Sequence, residues 1–292
     1  MKKLFTLLLA AALGCSLLAG CGGTAEEPAE EPAEEVAEEV TEEAGETAEL
    51  PEDLQGITFT VGFDAEFPPF GFIAEDGSYD GFDLAMAEEL CNRLGWEFVA
   101  QPINWDAKDS ELSAGTISCI WNGFTYTGRE AEYTWSDPYV DNSIVLVVKE
   151  DSGIASLADM EGKTVTAQAA SSAVDAVNGN EAFNSSIKEM VELGDYNLCF
   201  MELAQGTADA VAADLGVASY QIANNPDANY VILDEPVSTE QYAIGFLLGN
   251  EALRDVVNAE LHKMAEDGTM MEIAQNYVDA GLVLDSLCLV EK

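Results

Sequence analysis

Residues 57–70 read ITFTVGFDAEFPPF, and this stretch joins a predicted strand to a stiff aromatic loop. The strand is predicted at Ile57 to Val61. In the loop, two prolines fix the backbone between Phe67 and Phe70, so both rings are held in place. Such rings suit a surface on which a flat or aliphatic group stacks. The loop is equally compatible with a turn whose aromatic side chains enter the core.

The chain after this loop alternates between predicted helices and strands. A helix is expected from about Asp83 to Leu94, because its apolar residues share one face and Gly95 can end it. The other predicted strands are Glu97–Ala100, Ile117–Trp121, Ser143–Val148, Lys163–Gln168, Ile187–Glu192 and Ala208–Ala212. Another helix is predicted to start at Ser172, and two more are predicted at about Asn197–Gln205 and Gly216–Asn224. This alternation predicts an α/β protein, and residues 54–292 are numerous enough for two domains.

Two more helices are predicted near the C-terminus. Asn250 can cap the first, whose apolar residues keep helical spacing until Gly268. Thr269 and Glu272 have the spacing of a capping box, which predicts that Thr269 caps the last helix. No function is predicted for residues 281–292.

The N-terminal segment has the layout of a secretory signal, with Lys2 and Lys3 before an apolar run from Leu4 to Leu18. Small residues directly before Cys21 resemble the bacterial lipoprotein signal. The resemblance implies removal of residues 1–20, lipidation of Cys21, and a place on the outer face of the cell membrane. The alternative is an ordinary cleaved signal that happens to contain a cysteine.

Residues 21–53 are predicted to be an acidic tether behind the lipidated cysteine. Thr24 to Leu50 contains many Glu residues and no Lys or Arg. Like charges three and four residues apart destabilise a helix, so we expect a solvated, extended chain. The net charge of the whole protein is −44. This charge argues against nucleic acid or an acidic membrane surface as a partner.

Metal and nucleophile chemistry find little support in the sequence. The only histidine, His262, lies on the polar side of a predicted helix, so no histidine zinc site and no histidine-activated nucleophile is expected. Beyond the tether the cysteines are Cys91, Cys119, Cys199 and Cys288, and their spacing fits no metal motif. They can form disulfides in any of three connectivities or remain thiols. No glycine-rich phosphate loop is present, and no cofactor is predicted.

A second informative stretch begins with Trp105 and Asp106 and continues, after a predicted strand, from Asn122 to Arg129. A strand end that opens into small and hydroxyl residues and then an arginine offers a carbonyl, a hydroxyl and a bidentate fork to a small anion. The simpler interpretation is a surface arginine that balances a very acidic protein.

These segments, with the GFD sequence at 81–83 and WSDPY at 135–139, resemble the polar amino-acid family (family 3) of solute-binding proteins of bacterial ABC importers. The resemblance runs from about Ile57 to Tyr277. It implies a two-lobe clamshell of the type II periplasmic-binding-protein kind, with a mainly parallel sheet in each lobe. Two strands would cross between lobes, near Val145–Lys149 and Tyr242–Phe246. The implied lobes are residues 54–146 with 245–292, and residues 147–244.

The resemblance also implies which residues contact the ligand. In the first lobe, Phe67 and Trp105 would form aromatic walls around the ligand side chain. Polar contacts would come from Asp64 and from the strand end with Asn122, Gly123 and Thr125. Arg129 would clamp the ligand carboxylate. In the second lobe, Gln168, Ser171 and Ser172 belong to a loop that leads into a helix. Asp214 would be the acid that holds the ligand ammonium group. Free backbone N–H groups at Ser171 and Ser172 would receive the carboxylate.

The sequence departs from the family pattern at two places. Thr127 and Arg129 are separated by Gly128 alone, a shorter spacing than the family usually has. Ala170 stands where the family commonly places glycine. Neither difference removes a charged group from the implied site.

The leading functional hypothesis is a monomeric lipoprotein that captures an extracellular amino acid and delivers it to a membrane permease with its cytoplasmic ATPase. An enzyme that dehydrates a small carboxylic acid is an alternative, since some relatives do so and Glu66 could act as the acid. A ligand sensor that reports to a membrane receptor is a third. Ligand turnover would distinguish the enzyme from the other two.

Overall fold

The computed structural model describes residues 50–290. The predicted signal sequence, the lipidation site Cys21 and nearly all of the acidic tether lie outside this range, so they stay predictions. Among the described residues, no helix combines the length and the apolar character needed to cross a bilayer.

Fourteen strands form three sheets in residues 50–290. They are β1 Thr58–Phe63, β2 Glu66–Phe67, β3 Gly71–Ile73, β4 Tyr79–Asp80, β5 Glu97–Pro102, β6 Cys119–Ile120, β7 Thr134–Trp135, β8 Val140–Lys149, β9 Thr164–Gln168, β10 Glu189–Leu193, β11 Ala210–Asp214, β12 Tyr230–Ile232, β13 Ser238–Tyr242 and β14 Gly245–Phe246. The six strands predicted beyond the first loop correspond to β5, β6, β8, β9, β10 and β11.

Eight α-helices pack around these sheets in the same part of the chain. They are α1 Phe82–Leu94, α2 Lys108–Ala114, α3 Ser172–Gly179, α4 Glu181–Ser186, α5 Tyr196–Gln205, α6 Leu215–Asn224, α7 Glu251–Glu266 and α8 Thr269–Gln275. Gly95 ends α1 as predicted, in a left-handed conformation with φ of 70°, and its N–H donates to the Cys91 carbonyl. Glycine adopts this conformation without the steric cost that a side chain would add.

The predicted capping box at the start of α8 is wrong. Gly268 occupies the N-cap position and Thr269 is already the first helical residue. The Thr269 hydroxyl instead accepts a hydrogen bond of 2.7 Å from the Arg93 guanidinium. A tertiary contact with α1 therefore uses the group that the local pattern assigned to the cap. Asn250 does stand at the N-cap of α7, but its side chain makes no capping hydrogen bond.

The first lobe is built on a five-stranded sheet with the order β5-β1-β6-β14-β7. β1 pairs in parallel with β5 and β6, as expected for strands joined by helices, and β14 pairs antiparallel with β6 and β7. A small antiparallel sheet of β2, β3 and β4 follows the aromatic loop. Its strands are too short for an alternating pattern to reveal them.

The second lobe is built on a six-stranded sheet with the order β10-β9-β11-β8-β12, in which β13 also pairs with β8. β9 is parallel to β10 and β11, while β8 is antiparallel to β11, β12 and β13. Both lobes thus have mixed sheets. They are parallel where helices connect the strands and antiparallel where the chain returns from the other lobe.

The chain passes between the two sheets twice, once between β7 and β8 and once between β13 and β14. The first passage, at residues 135–140, comes earlier than Val145–Lys149, where the family resemblance placed it. β8 belongs wholly to the second sheet, and the predicted lobe boundary after residue 146 falls inside it. The exact lobe boundaries stay a prediction.

The segment after α8 runs back over these passages. Leu287 is fully buried and forms an antiparallel bridge with Val140, the first residue of β8. Gly281 has φ of 99°, and a Cβ there would lie 2.9 Å from the carbonyl oxygen of Gly216 in α6. The segment therefore contacts the hinge and the second lobe, which gives residues 281–290 a structural role that the sequence did not reveal.

Candidate functional site

Asp214 lies at the end of β11, directly before α6, and is 2% exposed. Its carboxylate accepts hydrogen bonds from the Tyr196 hydroxyl at 3.0 Å, from the Asn142 amide at 2.9 Å, and from the Tyr242 hydroxyl. Burial raises the pKa of Asp214, and these donors lower it in part. The sequence assigned this residue to the ligand ammonium group, and its burial without a cation fits that chemistry.

Glu240, in the middle of β13, is a buried acid that sequence reasoning missed. Its Oε1 accepts hydrogen bonds from Thr125 Oγ1 at 2.9 Å, Asn142 Nδ2 at 2.9 Å and Ser172 Oγ at 3.1 Å. Burial first, and then the charge of Asp214, raise its pKa to about 7. Glu240 thereby joins Thr125 of the first lobe and Ser172 of the second lobe to Asn142 in β8.

The structure thus brings three predicted site residues into one network. Thr125 comes from the first lobe, Ser172 begins α3, and Asp214 ends β11. Four further members were not predicted: Asn142, Tyr196, Glu240 and Tyr242. Tyr242 stands at the edge of a predicted passage between lobes, which was the one signal that could have pointed to this strand.

A second contact between the lobes joins Asp64 to Gln168. The Gln168 amide donates to Asp64 Oδ2 and also to the Gly194 carbonyl oxygen. The Asp64 N–H donates to Asn122 Oδ1 at 3.0 Å. The amide nitrogen of Asn122 is buried and has no hydrogen-bond partner among the described residues. Burial raises the pKa of Asp64. Three more predicted site residues therefore lie together where the lobes meet.

Phe67, which the family resemblance assigned to an aromatic wall, lies where the two lobes meet. Its ring lies 5.9 Å from the ring of Tyr196, measured between centroids, and therefore joins the first lobe to α5. Gly123 packs against it, because a Cβ at Gly123 would lie 2.7 Å from Phe67 Cε1. The position also has φ of 53°, so a side chain there would be strained twice over. The glycine lets the aromatic wall approach the strand end closely.

The Gly123 N–H has a partner within its own lobe. It donates to Asp83 Oδ2 at 2.6 Å, and the Tyr139 hydroxyl donates to the same oxygen at 2.7 Å. Asp83 is fully buried, and burial raises its pKa to about 7. This N–H is therefore engaged in holding the strand end.

Arg129 lies at the rim of the contact between lobes. One guanidinium nitrogen is 2.7 Å from Asp175 Oδ2 on α3, and the guanidinium stacks over the Phe124 ring. Trp105 packs edge to face on the same ring, and Lys108 lies over Trp105. Arg129 and Trp105 thus share one cluster around Phe124, separate from the hydrogen bonds of Asp214 and Glu240.

Lys108 is a buried cation that the sequence did not single out. Its Nζ donates to the carbonyl oxygens of Trp105 and Ala170, at 3.5 and 3.3 Å. Ala170 has φ of 57°, the left-handed conformation that favours the glycine of the family pattern. Lys108 therefore reaches across the lobes to the loop that ends at Ser171 and Ser172.

Ser171 is the N-cap residue of α3 and is buried. Its hydroxyl lies close to that of Tyr196, yet has no hydrogen-bond partner of normal geometry among the described residues. The Ser171 N–H was predicted to be free for a carboxylate, but it donates to the Gln168 carbonyl oxygen at 3.3 Å because the chain turns there into the helix. The N–H groups of the first turn of α3, from Ser172 onward, have no partner within the helix. Within residues 50–290, no group of three metal-binding side chains is present.

Comparison with known proteins shows which family has this sequence pattern. Residues 59–280 match the model of the bacterial extracellular solute-binding proteins, family 3. The chain belongs to this family. The match covers the lobes, both passages between them and the site residues described above. Membership assigns solute binding as the class of function.

Individual relatives bind amino acids. The L-cystine-binding protein TcyJ of Escherichia coli strain K12 is 26% identical over 229 residues, which cover 76% of this chain and 83% of TcyJ. An ABC uptake transporter substrate-binding protein from Streptococcus pneumoniae, solved with bound histidine, has a TM-score of 0.73 and 33% identity, covering 77% of this chain and 94% of that one. These neighbours establish the two-lobe fold.

A third relative bears on the enzyme hypothesis. The ancestral amino acid-binding protein AncCDT-1, described as a precursor of cyclohexadienyl dehydratase, has a TM-score of 0.68 and 28% identity. It covers 75% of this chain and 94% of its own. It is itself described as a binding protein, although an enzyme descends from it. Glu66, the residue considered as an acid, accepts a hydrogen bond from Asn197 across the lobes.

Proposed function

We propose that this protein captures an amino acid between its two lobes and delivers it to the permease of an ABC importer. The observation that carries the proposal is Asp214, a buried carboxylate with three protein donors and no cation within bonding distance among the described residues. A buried charge is stable only when it is matched, and a ligand ammonium group is the match.

The other end of the ligand requires positive groups. The backbone N–H groups of the first turn of α3, from Ser172 onward, suit a carboxylate, as does the guanidinium of Arg129. Arg129 would then exchange Asp175 for the ligand, or bind both. Lys108, beside Ala170, adds a second cation near the same loop. An amino acid bound in this way would be neutralised at both ends.

Contacts from both lobes couple binding to closure. Asp214, Ser171 and Ser172 belong to the second lobe, and Arg129 and Thr125 to the first. A ligand that contacts both sides binds the closed state more tightly than the open state and shifts the population toward it. The permease would recognise this closed form.

The predicted N-terminal features complete the proposal. Removal of residues 1–20, lipidation of Cys21 and an extended acidic tether up to residue 53 would hold a monomeric binding protein at the outer face of the membrane. Two acyl chains on one cysteine give stable attachment. Labelling with a radioactive fatty acid, in the natural protein and in Cys21→Ala, tests the anchor.

A thermal-shift panel of the twenty amino acids tests the binding function, because a ligand of the native state raises the melting temperature. L-histidine, L-arginine, L-glutamine and L-cystine are the first probes, since relatives bind them. At least one amino acid should raise the melting temperature of the natural protein and not that of Asp214→Asn. Asp227→Asn, at an exposed position of the second lobe, is the matched control. No shift with any amino acid would contradict the proposal.

Recovery of the ligand after incubation addresses the enzyme alternative. A binding protein returns its ligand unchanged, whereas a dehydratase consumes it. Chromatography of the ligand after prolonged incubation should recover all of it. Conversion that is lost in Glu66→Gln would instead support the enzyme.

A further inference from the structure

We propose that Glu240 is a second acid of the ammonium site, so that Asp214 and Glu240 together bind the positively charged amine of the ligand. This inference rests on the proposed function and adds a residue from β13, the last strand before the chain returns to the first lobe, to the site. It makes the amine, rather than the carboxylate, the end of the ligand that contacts the hinge.

The two acids form a pair through one side chain. The Asn142 amide nitrogen donates one hydrogen to Asp214 Oδ1 and the other to Glu240 Oε1, each at 2.9 Å. One amide nitrogen therefore lies within hydrogen-bond distance of both carboxylates. An ammonium group has three N–H donors and can bridge two carboxylates in the same way.

The pair receives hydrogen bonds from five protein groups but no positive charge. The donors are the hydroxyls of Thr125, Ser172, Tyr196 and Tyr242 and the amide of Asn142. Among the described residues, neither carboxylate has a salt-bridge partner, and the nearby cations are engaged elsewhere. Two like charges held together in a dry site require an external cation or a proton.

A hydroxyl at the edge of the pair also points to a ligand. Ser171 Oγ is buried beside the Tyr196 hydroxyl, which donates to Asp214, and it lacks a hydrogen-bond partner of normal geometry within residues 50–290. A buried polar group left without a partner is costly unless something binds it. A ligand held at Asp214 would lie within its reach.

Proton exchange follows from the pairing. The charge of Asp214 and the burial of Glu240 favour a shared proton in the free protein, as the raised pKa of Glu240 indicates. An entering ammonium group replaces that proton as the compensating charge, so binding releases it to solvent. Glu240 and Asn142 line a cavity of about 420 Å³ together with the exposed Asp141, which provides a route. The remaining groups that face Glu240 are uncharged hydroxyls.

The decisive experiment compares two probes. The first probe is whichever of L-histidine, L-arginine, L-glutamine and L-cystine binds most tightly. The second is the deamino analogue of that amino acid, such as imidazolepropionate or 5-guanidinopentanoate. Calorimetry gives the affinity of both for the natural protein, for Glu240→Gln and for Glu235→Gln, an exposed control. Glu240→Gln should weaken the amino acid about 100-fold and leave the analogue unchanged or tighter. The control should change neither.

The pH profile supplies a readout that a purely structural residue would not affect. Affinity of the natural protein for the amino acid should rise up to about tenfold per pH unit between pH 5 and 7, and this slope should be reduced in Glu240→Gln. Calorimetric titrations in buffers of different ionisation enthalpy should detect proton release in the natural protein. This measurement does not depend on whether a variant folds.

Three results would overturn the inference: equal weakening of both probes by Glu240→Gln, unchanged amino acid binding in that variant, or no proton release in the natural protein. If Asp214→Asn abolishes binding while Glu240→Gln does not, only the role of Glu240 fails. If no amino acid binds the natural protein, the proposed function itself fails.

Discussion

Two contacts between the lobes differ in how their charges are matched. At the rim, Arg129 pairs with Asp175 at 2.7 Å, and the Asp175 side chain is 69% exposed. In the interior, Asp214 and Glu240 lie close together with hydrogen-bond donors but no cation among the described residues. This ion pair is open to solvent on the Asp175 side and can exchange partners, whereas we expect an unmatched buried pair to oppose closure until a cation arrives. We therefore expect the interior contact to be the one that depends on ligand.

The largest expected effect is at Asp214. Asp214→Asn preserves the shape of the side chain but removes the charge that matches the ligand ammonium, at a cost of about 3 to 5 kcal/mol. This corresponds to an affinity loss of roughly 100-fold to 1,000-fold or more. Calorimetry with the best amino acid measures it. An affinity within about threefold of the natural protein would remove Asp214 from the site.

Smaller losses of affinity are expected at the rim, and they should differ between Arg129 and Asp175. Arg129→Ala should weaken amino acid binding about 10-fold to 100-fold, since a hydrogen bond to a charged group contributes about 1.5 to 3 kcal/mol. Asp175→Ala should change the affinity less than about fivefold, because its carboxylate is mostly exposed. Equal losses in the two variants would show that the ion pair, and not a ligand clamp, is the role of Arg129.

The pH dependence of stability distinguishes the buried acids from the rim pair. Burial raises the pKa of Glu240 and of Asp83 to about 7, above the values near 4 that carboxyl groups have in unfolded chains. The folded protein therefore binds these protons more tightly than the unfolded chain. Its free energy of unfolding should fall as the pH rises from about 5 to 7.

Urea unfolding of the ligand-free protein at pH 5, 6, 7 and 8 measures this trend. Glu240→Gln should flatten part of the slope, and Asp175→Ala should not alter it. The rest of the slope should persist in Glu240→Gln, because burial also raises the pKa of Asp83. A stability that increases over this range in the natural protein would show that the buried acids are matched by cations.

The smallest effect concerns a single donor to Glu240. Thr125→Val removes the hydroxyl that donates to this carboxylate while keeping the side-chain shape, and should lower the free energy of unfolding by about 1 to 2 kcal/mol at pH 8. Thr207→Val, which removes an exposed hydroxyl bonded to Glu202, should change it by about 0.5 kcal/mol or less. Similar losses would mean that the Glu240 network is no more demanding than a surface contact.

Much of the fold follows from local pattern, because long helices and buried strands carry their periodicity in sequence. α1 with its Gly95 cap and the strands β9 and β11 are examples. The two-residue strands and the three-stranded sheet after Phe70 have no readable period. At Thr269, a tertiary hydrogen bond from Arg93 overrode a local capping signal.

The site was predictable only where a motif marks it. Asp214, Ser172 and Thr125 lie at strand ends or a helix start, where the family pattern places them. Glu240 and Asn142 lie in β13 and β8, next to the passages between the lobes, and their side chains are hydrogen-bonded although they are 98 residues apart in sequence. A polar residue in such a strand looks like any half-exposed position until the fold brings the acids together.

A crystal structure of the protein with its tightest-binding amino acid tests the central claim most directly. We expect the ligand between the lobes, with its amine nitrogen at hydrogen-bond distance, about 3 Å, from both Asp214 and Glu240. Its carboxylate should lie at the start of α3. A ligand whose amine lies away from Asp214, or an amino acid bound outside the contact between the lobes, would contradict the claim.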